Sequence, residues 1–351
     1  MTHIKKLILS QKSGLLTELQ SDTIFGHFCW RMKDLFGEDK LNEFLVSYTT
    51  GNPVFTVSNS FFERDNIIFL PNPLLPINTT EDEKTKDEKI INFLNYKDSK
   101  SQKFFPLNQF NAIISGDKAK FKELQDIEEK QKAINKDKNE EYKNKQPKYI
   151  EDLRTSVEIS RETFSSKEGQ LFSYAPYYLE EDLIDSKLSK YSETDTIIFI
   201  KVLDDDGFKN FDCENILKEV FNIGYGKKKS SGYGQFDVKG FDKFEGFDEP
   251  HDPNGFITLS NYLPSADDGI KSEVSFYDLN IKYGKLGEEL ALSENPFKKP
   301  IVFMTSGSCF KTDVEMEFYG RCTSHGEISE LFPDTIQNGF SFSLRCKLNK
   351  D

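Results

Sequence analysis

Residues 222–236 read Asn-Ile-Gly-Tyr-Gly-Lys-Lys-Lys-Ser-Ser-Gly-Tyr-Gly-Gln-Phe, and what flanks them decides the fold. Upstream, Ile216, Leu217, Val220 and Phe221 fall on one face of a helix, with Asp212 at the N-cap position. Downstream, Gln235-Phe236-Asp237-Val238 alternates as a strand, so the stretch joins a helix to a strand. Gly224, Gly226, Gly232 and Gly234 predict positive φ and a close approach of backbone amides to a ligand. Successive amides form an anion nest. Lys227, Lys228 and Lys229 add positive charge, Ser230 and Ser231 add donors, and Tyr225 and Tyr233, each between paired glycines, are placed to stack on bases.

A nucleotide-binding P-loop requires Gly-x-x-x-x-Gly-Lys-Ser/Thr after a strand and before a helix. Here the order is reversed and the spacing is absent, which excludes it. A solvated Gly/Lys/Ser turn is the plainer reading. Two mirrored Gly-Tyr-Gly triplets around a basic and polar centre favour a cradle for a single-stranded RNA backbone.

Further upstream, Thr196–Leu203 reads as an apolar strand, and Asp204-Asp205-Asp206-Gly207 as a turn rather than a metal site, because adjacent carboxylates diverge and no partner ligands are evident. Residues 3–10 read as a strand. Ser21 or Asp22 caps a following helix whose buried stripe is Ile24, Phe25, Phe28, Met32, Leu35 and Phe36, with His27, Trp30, Arg31 and Asp34 on the opposite face. Its start, Ser21-Asp22-Thr23, is a second anion-binding candidate, since the first amides of a helix are free and its dipole favours phosphate; plain capping is the competing reading. Asp39 opens a second helix with Leu41, Phe44, Leu45 and Tyr48 on one side, broken by Gly51-Asn52-Pro53. Val54–Phe62 and Ile67–Leu70 form a hairpin around Arg64-Asp65-Asn66. Lys97, Lys100 and Lys103 precede a short helix ending at Gly116 and either touch RNA or a neighbour or form a solvated face. Residues 117–148 are charged with few apolar anchors, an exposed helix or partly disordered insertion. In 150–178, Arg154, Arg161, Lys167, Phe164, Phe172, Tyr174 and Tyr177 interleave basic and aromatic side chains, as suits single-stranded RNA; an amphipathic hairpin fits equally.

The order strand, helix, strands, insertion, strand, helix, strand is βαββαβ, a ferredoxin-like (RRM-like) unit. After a Gly/Asp/Pro linker at 240–254, strands are predicted at Phe256–Tyr262, Val274–Tyr283, Ile301–Met304 and Gly339–Leu348, with poor helical periodicity. The fold class expected is α+β: two ferredoxin-like domains, 1–240 with an insertion at about 77–150, and a degraded 250–351.

The chain has 351 residues, 30% charged and 36% hydrophobic, enough for a sizeable core. Its net charge of -13 speaks against indiscriminate coating of nucleic acid, so any RNA contact comes from a local basic patch. Five scattered cysteines without a Cys-x-x-Cys pair indicate free thiols in a reducing cytoplasm. Ile4–Leu9 is interrupted by Lys5 and Lys6, unlike a signal peptide, and no apolar run reaches membrane-spanning length. His3, His27, His251 and His325 have no metal-ligand spacing, and no Gly-x-Ser-x-Gly or His-Glu-x-x-His occurs.

The glycine loop resembles that of the RAMP superfamily of CRISPR proteins. Ser21–Trp30 looks like that superfamily's first-helix signature; Gly51-Asn52-Pro53-Val54-Phe55 and Leu70-Pro71-Asn72-Pro73-Leu74 look like the segments after it. Arg161-Glu162-Thr163 before Gly169-Gln170-Leu171-Phe172, then Lys298-Lys299-Pro300, Gly307-Ser308-Cys309-Phe310 and Tyr319-Gly320-Arg321, look like later landmarks. Together these are most similar to the subunit family that caps the 5′ end of the guide RNA in the type III-A (Csm) CRISPR complex, over residues 4 to 350. The resemblance implies an RNA-binding subunit that cuts nothing and carries no metal or cofactor. It would hold the repeat-derived 5′ tag of the crRNA through residues 224–234, Ser21, Asp22, Thr23, His27 and Arg161. Its partners would be the large polymerase–cyclase subunit and the first backbone RAMP subunit, with target RNA met only indirectly. It would work in a prokaryotic cytoplasm, in antiviral defence. The alternative is a metal-independent RAMP endoribonuclease with His27 as general base; a pure scaffold would not need the basic loop.

Overall fold

The computed structural model describes residues 2–75, 103–137, 146–159, 161–179 and 193–348. Its main sheet has the order β10-β1-β9-β2-β3-β4, every neighbouring pair antiparallel. The strands are β1 (His3–Gln11), β2 (Phe55–Arg64), β3 (Ile67–Pro71), β4 (Phe104–Pro106), β9 (Thr194–Val202) and β10 (Phe236–Phe244). β2 and β3 turn through Asp65 and Asn66, at φ 52° and 62°, the left-handed pair of a two-residue hairpin turn.

The centre of the sheet is buried on both sides, and the alternation of β9 shows how. Ile198, Ile200 and Val202 join Leu7 and Leu9 of β1 in a core under α1 (Ser21–Phe36), α2 (Glu38–Thr49) and α6 (Cys213–Asn222). From these helices come Ile24, Phe25, Phe28, Phe44, Tyr48, Ile216, Val220 and Phe221. Ile197 and Phe199 point the other way, into a second core with Phe61, Phe105, Phe110, Ile257, Phe342 and Leu344. An apolar run buried on both faces is thus a central strand.

That second core differs from the sequence expectation in one respect. β4 and α3 (Leu107–Ile114) fall in the span read as an insertion, yet Phe105, Phe110 and Ile114 are buried core residues. The charged remainder is an exposed helix as expected, α4 (Lys118–Asp137), which seats Phe121 against Phe105. The expectations for 77–102 and 138–145, Lys97 and Lys100 included, lie outside the described residues.

The C-terminal part carries a three-stranded sheet, β14-β11-β15, from β11 (Gly255–Thr258), β14 (Cys309–Lys311) and β15 (Ser343–Cys346), and a ribbon of β12 (Leu279–Lys282) and β13 (Ile301–Met304). No α-helix lies among its described residues, only short 3-10 turns. The predicted strands are shortened; Val274–Tyr283 begins as a 3-10 turn and becomes a strand only at Leu279.

Helix ends depart most from expectation. α1 starts at Ser21, after Gln20, with no side-chain cap. Asp212 does precede α6, but in the left-handed region, and its carboxylate accepts from Asn215 rather than from a backbone amide. Asp204 does not form a turn but caps α5 (Asp205–Asn210), accepting from the Asp206 amide. Leu35 and Phe36, assigned to the buried stripe of α1, are 40% and 47% exposed in the helix's last turn.

Candidate nucleic-acid interface

The loop after α6 folds back on itself. Gly224, Gly226, Gly232 and Gly234 all take positive φ, at 96°, 77°, 86° and 65°, as the sequence required. At Gly234 the need is absolute: a Cβ there would lie 1.9 Å from the Tyr225 carbonyl oxygen. Tyr225 and Gly234 are tied by an amide–carbonyl bond of 2.8 Å that closes the loop's neck.

The floor of the loop is the segment after β1, which sequence reading missed. The Gly234 amide donates to the Gly14 carbonyl (3.0 Å), the Lys227 amide to Thr17 Oγ1 (2.9 Å), and the Gln235 amide to Ser13 Oγ (2.9 Å). Ser231 and Tyr233 donate to the Lys228 carbonyl and Gly232 to that of Lys229. Most amides expected to form an anion nest are therefore satisfied internally. The charge at the loop's crown comes instead from Lys227, Lys228 and Lys229, with Ser230 and Ser231 exposed beside them.

The two tyrosines separate. Tyr225, expected to stack on bases, is fully buried: its ring stacks on Phe221 at 5.8 Å, meets His27 at 4.6 Å, and its hydroxyl donates to the Glu18 carbonyl. Desolvation pushes its pKa well above the ordinary value. A residue flanked by two glycines looked exposed because glycine turns are usually at the surface; here they drive the ring inward. Tyr233 stays half-buried at the surface.

A hairpin of β6 (Arg154–Ile159) and β7 (Ser166–Tyr174), braced at its base by β5 (Tyr149–Glu151) and β8 (Tyr177–Leu179), leans on the loop. Lys228 Nζ lies 3.4 Å from the ring centroid of Tyr174 and 5.2 Å from that of Phe172. The hydroxyls of Tyr174 and Tyr233 are 3.3 Å apart, and Arg154 Nη1 donates to Tyr233 Oη at 3.3 Å. Hydrogen bonds from Ser156 and Tyr233, with Lys228 near, hold the Tyr174 pKa below its ordinary value; its bond to Tyr174 raises that of Tyr233. The register of the hairpin puts Arg154 opposite Tyr174 at the base, whereas Arg161 lies exposed in the turn at the tip, beside Phe164 at 87% exposure. The base of the hairpin, not Arg161, completes the patch at the loop.

The second anion candidate is closed. Ser21 and Asp22 are each 3% exposed. The Ser21 amide donates to Asn59 Oδ1, and its hydroxyl accepts from the Asn261 amide. The Asp22 carboxylate receives Lys282 Nζ at 2.6 and 2.7 Å, Asn261 Nδ2 at 2.8 Å and Gln337 Nε2 at 2.7 Å; Thr23 Oγ1 accepts from Lys282 at 2.6 Å. These residues clamp the C-terminal part onto α1. On the outer side of α1, Arg31 pairs with Glu219 and Trp30 packs on Gly287, so the face read as open is half-covered.

The flat sheet face on which a four-stranded RNA-binding domain stacks bases is also covered, by Ile257, Phe342 and Leu344. What remains is a patch of Lys227, Lys228, Lys229, Arg154, Tyr233, Tyr174 and Phe172: cations set against aromatic rings, a chemistry suited to a polyanion with planar bases. No group of His, Cys, Asp or Glu able to hold a metal occurs among the described residues. None of their helices is long and apolar enough to cross a membrane.

No family model matches the chain, and no curated protein matches it. Solved structures do, and they define a class of fold: that of chains in type III-A CRISPR-Cas interference complexes. A chain of the Csm3-Csm4 subcomplex aligns over 99% of this chain and 100% of its own, with TM-score 0.62 and 17% identity. Chains of the Csm1-Csm4 cassette in complex with pppApA and with cA4 align over 100% of both chains, with TM-scores 0.54 and 0.55 at 14% and 13% identity. Csm4 is the component common to all three, and the chain has a Csm4-like fold; at such identities the likeness is one of fold alone.

Proposed function

We propose that the chain is a non-catalytic RNA-binding subunit of a Csm-type CRISPR interference complex, holding the 5′ tag of the crRNA at the patch formed by the glycine loop and the base of the hairpin. The observation that carries this reading is Lys228 set over Tyr174 and Phe172 with Arg154 on Tyr233, two basic-aromatic stretches distant in sequence meeting in one place. Phosphates would sit on the lysines and Arg154, and a base would stack at the rim of Phe172. The strand order around β1 and β9, with α1 and α6 on one face, supports a ferredoxin-like first domain; 250–351 is then a degraded second one that covers its sheet.

The assembly role rests on the fold. Its neighbours come from complexes with Csm1 and with Csm3, so the large polymerase–cyclase subunit and a backbone RAMP subunit are the proposed partners, in a prokaryotic cytoplasm. Copurification from the native host with sequencing of bound RNA tests this. Recovery of guide RNAs sharing one 5′ repeat-derived end is the expected result; recovery of the protein partners without RNA refutes the tag-holding role.

A further inference from the structure

Beyond the loop, the outer face of the C-terminal ribbon carries a second set of aromatic and basic side chains. From Leu279 to Leu286 exposure alternates along the chain. The inner set includes Lys282, whose ammonium holds Asp22, and Leu286, 3% exposed. The outer set is Leu279, Ile281, Tyr283 and Lys285. Lys285 bridges Phe297 on the returning segment, with Nζ 6.0 Å from the ring centroid. Tyr283 and Phe297 are 75% and 67% exposed, and exposed Lys299, two residues after Phe297, pairs with Glu330 at 2.7 Å.

Two largely exposed aromatic rings with lysines on one face form an exposed patch of the kind that marks a binding surface. Their place on the molecule relates them to the loop. Tyr225 of the glycine loop packs on His27 of α1, and one helical turn on, about 5 Å along the axis, Trp30 packs on Gly287, two residues from Lys285. Lys33, one residue nearer the end of α1 than Met32, lies 5.3 Å over the Trp30 ring. Tyr225 is buried beneath the loop, and half-buried Trp30 and Lys33 on α1 stand between the loop and the ribbon.

We infer that Tyr283 and Phe297, flanked by Lys285 and Lys299, form a base-stacking platform for single-stranded RNA that extends the track beyond the glycine loop. The inference rests on the RNA-binding reading of that loop. The aliphatic neighbours Leu279, Ile281 and Val302 lie toward the other end of the ribbon and are not part of the platform.

The test is anisotropy titration of the full chain with labelled oligouridylates of about 8 and about 16 nucleotides, near the span of known single-strand sites. Compared are the wild type, Tyr283→Ala/Phe297→Ala, and the loop variant Lys227→Ala/Lys228→Ala/Lys229→Ala. Both aromatics are exposed, so the double variant should keep the wild-type circular dichroism and melting curve. The expected result is a loss of about 10-fold or more for the longer RNA and none for the shorter, because one stacked base accounts for such a factor; the loop variant loses both. Wild-type binding of both RNAs by the double variant, with the loop variant impaired, overturns the platform and leaves the loop reading standing. No binding of either RNA by the wild type overturns both. Self-association that the double variant abolishes, with RNA binding intact, assigns the face to a protein contact and overturns the platform too.

Discussion

The carboxylate of Asp22 in the first turn of α1 and the ammonium of Lys282 on β12 lie 2.6 Å apart, with Asp22 buried and Lys282 one-quarter exposed. Asp22 also receives Asn261 and Gln337, so three separate C-terminal segments end on one carboxylate. Removing one member of a buried ion pair leaves its partners unsatisfied, here Lys282 and the Asn261 and Gln337 donors, and is costly. Asp22→Ala should lower unfolding stability by about 3 kcal/mol, and the cycle with Lys282→Met should show coupling of about 1 kcal/mol or more. Additive losses in urea titrations would show that the pair does not hold the two parts together.

The lysines of the loop have a different part. Replacing Lys227, Lys228 and Lys229 together by Ala should weaken guide RNA binding and flatten its salt slope by about one to three units, one phosphate per lysine. Lys228→Ala alone should do more than one phosphate's worth of harm, because it also leaves Tyr174 and Phe172 without their cation. An unchanged slope in filter binding removes the loop from the site.

These cases show what the sequence made legible. The helix, loop and strand at 213–244, the four positive-φ glycines and the central strand at 194–202 follow from local periodicity and turn chemistry. Tyr225, Ser21 and Asp22 misled because each residue type has a usual place, and burial depends on what packs from afar. Gly14 and Thr17 carry no local signal at all; only the return of the loop onto the segment after β1 makes them matter. Arg154 was visible as one basic residue among several, and only the register of its hairpin sets it apart from Arg161.

Two glycines in the loop separate folding from binding. Gly234→Val forces a Cβ into the Tyr225 carbonyl and should unfold the neck, lowering the melting temperature and RNA affinity together. A Cβ at Gly232 meets nothing within 4 Å, and the only penalty is its positive φ of 86°, a strain of about 1–2 kcal/mol. Gly232→Val should therefore leave the fold cooperative and reduce RNA affinity by displacing the crown of the loop. Equal affinity for a folded Gly232→Val protein would mean that the crown does not touch RNA.

One acid-sensitive contact lies in the C-terminal loops. Arg321 holds Glu327 with two bonds of 2.9 and 3.0 Å, helped by the amide and hydroxyl of Ser324, and brings its pKa down to about 2. A depressed carboxylate contributes stability above its ordinary pKa and loses it as pH falls through the folded value, so the window runs from about 4.5 down to about 2. The pair is partly solvated and screened, which leaves about 1 kcal/mol. Glu327→Gln should remove that amount at neutral pH and flatten the acid limb of a denaturation series; an identical limb would show that the pair is already open in solution.

His27 bears on the choice between holding RNA and cutting it. Its ring packs on Tyr225 at 4.6 Å, on a helix whose outer face is half-covered by Glu219 and Gly287. Cleavage at a 2′-hydroxyl needs a base beside that hydroxyl and a donor on the departing oxygen. The side chains assembled near the loop are lysines, an arginine and tyrosines, a set that binds phosphate and base. His27→Ala should thus lower RNA affinity by about 1 kcal/mol or less, the scale of one hydrogen bond, chiefly by loosening Tyr225 beneath the loop. Purified wild-type protein should leave a labelled repeat RNA intact on a denaturing gel, with or without Mg²⁺. Cleavage at a single site that disappears in His27→Ala would instead make the chain an endoribonuclease with that histidine as its base.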